Sequence, residues 1–142
     1  MKAIVDTNVL IRVAVNDDPE EAKLARLALK EADRIVLTLP VLCEFVWVLS
    51  RGYRYGADEI ISAIRLLIAS ESVEVERPSV EAGLAMIAAG GDFADGVILF
   101  EGRGLGGAAL LSFDRKAAAL ARAAGAEAKL LVKQTRRPHG RG

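Results

Sequence analysis

Four acidic residues stand out for the company they keep. Asp6 closes the apolar run Lys2–Asp6 (KAIVD), and Glu44 lies inside the apolar stretch LCEFVWVL. Asp95 sits three residues after Asp92, behind the pair Gly90-Gly91, and Asp114 follows the run ALLSF. Burying a lone carboxylate is costly unless something pairs with it, so Glu44 reads as a buried acid with a purpose. Carboxylates gathered in one place repel each other, and Lys and Arg are scarce around these positions. A donor set of Asp and Glu with no His or Cys suits a hard, oxygen-seeking ion, magnesium or manganese rather than zinc. Such ions lower the pKa of a bound water and neutralise charge on a scissile phosphate, so the chemistry they serve is phosphoryl transfer. Each acid alone has a plain structural explanation: Asp6 ends a strand, and Asp114 caps a helix beginning at Arg115. The conjunction is what points to a site.

Something must bring these acids together. Lys2–Asp6 reads as a buried strand, followed by a short helix around Asn8–Ala14. Asn16-Asp17-Asp18-Pro19 supplies a cap and a first-turn Pro for a helix to about Ala32. A second strand is expected over Arg34–Leu39. Pro40 then opens a helix to about Arg51, with Val41, Phe45, Val48, Leu49 and Gly52 as its packed face and Glu44, Trp47 and Arg51 on another. Ala57–Ala69 is helical, Val73–Val75 is a short edge strand, and Ser79 is expected to cap a helix to about Ala89. After the Gly90-Gly91 break a helix runs from Asp92 to about Arg103. Ala108–Phe113 is a strand, Asp114–Ala124 a helix and Ala128–Val132 the last strand. Strands alternating with helices, most of them apolar on both faces, indicate an α/β sandwich around a parallel sheet. Ligands of such sheets bind at the carboxyl ends of the strands, where Asp6 and Asp114 fall. The Gly-rich stretch Gly102–Gly107 lacks phosphate-loop spacing and reads as a plain loop.

Composition narrows the classes. The chain has 142 residues, 52% apolar and 5% aromatic, so one domain with an aliphatic core is expected. No stretch approaches the roughly 18 apolar residues of a membrane span. Lys2 and Asp6 interrupt the apolar region a signal peptide requires. The single cysteine, Cys43, allows no internal disulfide, and a reduced cytoplasmic setting is the expectation. Zero net charge conceals an asymmetry. Lys129–Gly142 holds five bases and no acid, leaving 14 bases against 19 acids in the body. Residues 133–142 are expected to form a basic, flexible tail behind a domain spanning residues 1–132.

With these residues in view, the chain resembles the PIN-domain family of ribonucleases. Ile4–Ile11 (IVDTNVLI) resembles the family's first motif, Val41–Leu49 the helix carrying its Glu, Asp92–Leu99 (DFADGVIL) its third motif, and Ser112–Lys116 (SFDRK) its Thr-Phe-Asp-Arg-Lys segment. The resemblance covers about Lys2–Val132, with the motifs in family order. It implies a three-layer α/β/α sandwich around a mainly parallel sheet of four to five strands. It also implies Mg2+ or Mn2+ held by Asp6, Glu44, Asp95 and Asp114, and cleavage of RNA by a metal-activated water. Length and motif wording are most similar to the VapC group of toxins, which implies a homodimer and a small inhibitory antitoxin encoded nearby. Thr7, Asn8 and Ser112 are candidate donors orienting the carboxylates. Two departures are mild: Ser112 stands where Thr is commoner, and Gly96 where Ala is usual.

The remaining candidates are weighed individually. Asp92 lies one turn before Asp95 and is read first as the N-cap of that helix, second as a further ligand. Arg12 and Arg51 flank the acids and are candidate phosphate contacts. Trp47 is read as core or dimer contact rather than a base-stacking platform, Cys43 as a small buried hydrophobe, and His139 as no ligand. Rival folds fare poorly. A phosphatase of the haloacid dehalogenase type needs Asp-x-Asp where Asp6 is followed by Asn8, and a receiver domain needs a second acid beside Asp6. A non-toxin nuclease of RNA processing and a catalytically silent binding module are the remaining alternatives.

Overall fold

A computed structural model describes residues 1–134 of the chain. The elements run β1 (Lys2–Ile4), α1 (Thr7–Val15), α2 (Pro19–Glu31), β2 (Arg34–Val36), α3 (Leu39–Arg51) and α4 (Ala57–Ile68). They continue β3 (Val73–Glu74), α5 (Arg77–Ala88), α6 (Phe93–Gly104), β4 (Ala109–Ser112), α7 (Arg115–Ala123) and β5 (Glu127–Leu130). The expected order holds, and every strand pair is parallel, as helical crossovers require. This is the predicted α/β class. The strands form two sheets rather than one: β1-β2-β3 and β4-β5. Ala3 pairs with Ile35 and Ile35 with Val73, while Ala109–Ser112 runs beside Glu127–Leu130.

The strands are shorter than their apolar runs. Val5 and Leu37 lie beyond the ends of β1 and β2, yet Val5 N still donates to Val36 O and Leu37 N to Glu74 O, and both side chains are buried. Apolar run length therefore measured burial rather than strand length. The start of α5 also differs. Pro78 fits the first helical turn, where its missing N–H costs nothing, so the helix begins at Arg77 and Ser79 is buried inside it. On α3 the buried seam is Leu42, Phe45, Val46 and Leu49, rotated from the expected face; Val41 and Val48 are half-buried and Gly52 is exposed.

The main core joins Val5, Leu37 and Val73 to Leu10, Leu42, Phe45 and Ile64 of the flanking helices. A second packing region joins α5 to α6, where two glycines set the distance. A Cβ at Gly83 would lie 2.5 Å from the Phe93 ring, and one at Gly96 2.5 Å from the Ala82 carbonyl oxygen. Gly96, which lowers helix propensity by up to about 1 kcal/mol, is thus the residue that lets α6 lie against α5. That contact fixes the helix turn from which Asp95 projects.

Candidate active site

The acids fall into two groups joined by α3. The first lies at the carboxyl end of β1. Asp6 is the N-cap of α1, and its Oδ1 accepts the Thr7 amide at 2.7 Å. Thr7 is buried, and its Oγ1 donates to Glu44 Oε2 across 3.1 Å. Glu44 is exposed rather than buried, because it lies off the buried seam of α3 formed by Leu42, Phe45, Val46 and Leu49. Its carboxylate keeps water, so no burial cost arises. Asn8 is exposed beside this pair.

The second group lines a cleft of about 390 Å³ between α3, α4, the start of α6 and the start of α7. Its walls carry Asp92, Asp95 and Asp114, and opposite charges from Arg51 and Lys116. Asp114 N-caps α7, its Oδ1 accepting the amides of Lys116 at 2.8 Å and Ala117 at 3.0 Å. Ser112 Oγ accepts the Asp114 amide at 3.0 Å, which fixes the turn rather than the carboxylate. Asp92 occupies the N-cap position of α6, as expected, but its side chain makes no capping hydrogen bond. Asp95 is half-buried, and its carboxyl is held above the ordinary value of 3.8, first by burial and then by the charges of Asp92 and Asp114. Three acids therefore feel one another there, although they do not converge. Among the described residues no three His, Cys, Asp or Glu side chains stand close enough to hold a metal ion.

Asp6 follows β1 in one sheet and Asp114 follows β4 in the other, so the two caps do not share a hydrogen-bonded ladder. Cations are nearer to the acids than the sequence suggested, since Lys116 shares the cleft. Its signal was present in the motif SFDRK. Arg12 is engaged elsewhere, donating to Asp17 at 2.9 Å and Glu21 at 2.5 Å, with Tyr53 also bonded to Asp17 at 2.8 Å. Arg51 is exposed and lines the cleft. Trp47 is not a core residue: it is 61% exposed and lines the same cleft. Cys43 is half-buried against the core, and burial, then Asp92 and Glu101, push its thiol up, which disfavours a thiolate. His139 and most of the basic tail lie outside the described residues.

Comparison with known families gives one result that bears on this geometry. A PIN domain model matches residues 3–131, nearly the whole chain. The protein belongs to the PIN-domain family, whose members are in general nucleases that hydrolyse phosphodiester bonds. A search among curated proteins returned no match. No helix among the described residues is long and apolar enough to cross a membrane.

Proposed function

We propose that the protein is a magnesium- or manganese-dependent endoribonuclease and acts as the toxin of a type II toxin–antitoxin pair. The observation that carries the nuclease reading is Asp95, a carboxyl raised first by burial and then by Asp92 and Asp114, in a cleft that also holds Arg51 and Lys116. The donor chemistry fits a hard divalent cation, because every donor is oxygen and a cation would relieve the repulsion at Asp95. Asp95 and Asp114 would hold it with Asp92 as a further ligand, and because these acids do not converge, Asp6 and Glu44 would have to close on it from the β1 side. The ion, when bound, supplies charge neutralisation at the phosphate and a lowered pKa for water. The chain's own residues do the rest. Thr7 holds the Glu44 carboxylate, the α7 amides hold Asp114, and Arg51 and Lys116 draw phosphates into the cleft. Arg12, already paired with Asp17 and Glu21, offers a phosphate contact only if those pairs open.

The toxin role is supported by the motif wording of Ile4–Ile11 and Ser112–Lys116, and it brings with it a homodimer, a small antitoxin encoded nearby and a cytoplasmic setting. Purified protein is expected to cleave single-stranded RNA with added magnesium or manganese and not in chelator, and Asp6→Asn is expected to abolish cleavage. Undiminished cleavage in chelator would overturn metal dependence, and no cleavage of any RNA would mark a silent module. Induced expression should arrest bacterial growth, relieved by the neighbouring small open reading frame. Normal growth with active enzyme would instead indicate RNA processing.

A further inference from the structure

The cleft holds an aromatic ring that the acid chemistry does not use. Trp47 is 61% exposed, although Trp is on average a highly buried residue, and it lines the cleft. It stands on α3 one helical turn before Arg51, so ring and guanidinium share a face. Lys116 and Asp95 line the same cleft. We infer that Trp47 is a stacking platform for one nucleobase of a single-stranded RNA, with Arg51 and Lys116 on the adjoining phosphates.

Single-stranded nucleic acid is bound by this pairing of features: cations that track the backbone and an aromatic face on which an unstacked base rests. The cleft, at about 390 Å³, is within the ~300–1,000 Å³ typical of ligand sites. Its mixed lining separates it from the larger groove between α5, α6 and α7. That groove, about 680 Å³, is walled by Ala82, Met86, Leu99, Phe100 and Leu120 and offers a polyanion only Arg103. A protein partner fits the apolar groove better; a nucleotide fits the Trp47 cleft better. The stacked base would set the register of the strand, placing a fixed phosphate toward Asp95 and Asp114. Sequence preference would then be weak, because every base has a π face.

The inference rests on the nuclease reading for its substrate class, but its test does not need cleavage. Trp47 is the only tryptophan, so intrinsic fluorescence reports on this ring alone. Titration of the full chain with a short 2′-O-methyl oligoadenylate, which resists cleavage, should quench the emission saturably. By anisotropy of the same labelled oligomer, Trp47→Ala should weaken binding roughly ten- to hundredfold, as loss of one base–aromatic stack does, while Trp47→Phe restores most of it. In cleavage assays Trp47→Ala should raise KM more than it lowers kcat. Binding without quenching, or unchanged binding and KM in a folded Trp47→Ala protein, would overturn the inference. So would a Trp47→Ala variant that loses self-association yet binds the oligomer normally, since the ring would then be a contact between copies. Quenching by the oligomer from a protein that cleaves no RNA would support the stacking site while refuting the nuclease proposal; full cleavage with no quenching would do the reverse.

Discussion

The Asp6–Glu44 corner and the Asp95 cleft present the same side-chain chemistry in opposite states. At the corner, Asp6 takes the Thr7 amide and Glu44 takes the Thr7 hydroxyl, so structural donors occupy both acids. In the cleft, Asp114 is tied to the α7 amides, but Asp95 stands half-buried among like charges. A carboxylate with a donor on one oxygen is held in place; a carboxylate buried beside others stores an energy that a cation can release. The contrast locates the functional tension of the molecule on Asp95.

Within the cleft, the largest expected effect breaks that contrast at its tense end. Asp95→Asn should lower kcat more than about hundredfold, because loss of an outer-shell partner alone typically costs 10- to 100-fold at metal sites. Single-turnover cleavage measures it, and an unaltered rate would transfer the site elsewhere. Thr7→Val acts at the tied end. It keeps the buried shape but frees Glu44, and activity should fall about 10- to 100-fold while the fold persists. Activity equal to wild type would mean that Glu44 needs no positioning.

Stability changes should be smaller, and the tied Asp114 and the untied Asp95 of the cleft should move in opposite directions. Gly96→Ala forces a methyl against the Ala82 carbonyl and should cost about 1–3 kcal/mol in denaturant melts. Unchanged stability would show that α5 and α6 can part without penalty. Asp114→Ala removes a helix cap and should cost about 1 kcal/mol. Asp95→Asn should instead melt slightly higher than wild type at pH 7 without metal. The sign follows from proton linkage. Folded Asp95 binds its proton more tightly than the unfolded chain does, so wild-type stability falls as pH rises from 3.8 toward the raised folded value. Asparagine escapes that loss, and the difference should close below about pH 3, where both states are protonated. A variant less stable than wild type at neutral pH would deny that burial and its acid neighbours hold Asp95 above the ordinary carboxyl range.

Much of the architecture was legible in the sequence because periodicity and punctuation agree there. Pro19 behind Asp18, the alternation of elements and the acids after the first and fourth strands all appear where the pattern put them. What was not legible depends on contacts between elements. The sequence pattern places Trp47 on the face of α3 shared with Glu44 and Arg51, yet its apolar surroundings make it read as core or dimer contact, and its exposure excludes core. The same surroundings make Glu44 read as buried, and it is exposed. Gly96 looked like a weak helix residue until α5 lay against it. The gap between β1 and β4 has no local signature, since both strands carry the apolar pattern of paired ones.

Whether these acids act as one cation site is tested most directly by metal-linked stability. An ion that binds only the folded protein contributes RT ln(1 + [L]/Kd), about 2.7 kcal/mol at a hundredfold excess over Kd. Denaturant melts of wild type and Asp95→Asn, with and without magnesium, should show a clear rise for the wild type and little for the variant. An equal rise in both, or none in either, would mean that Asp95 does not hold the ion.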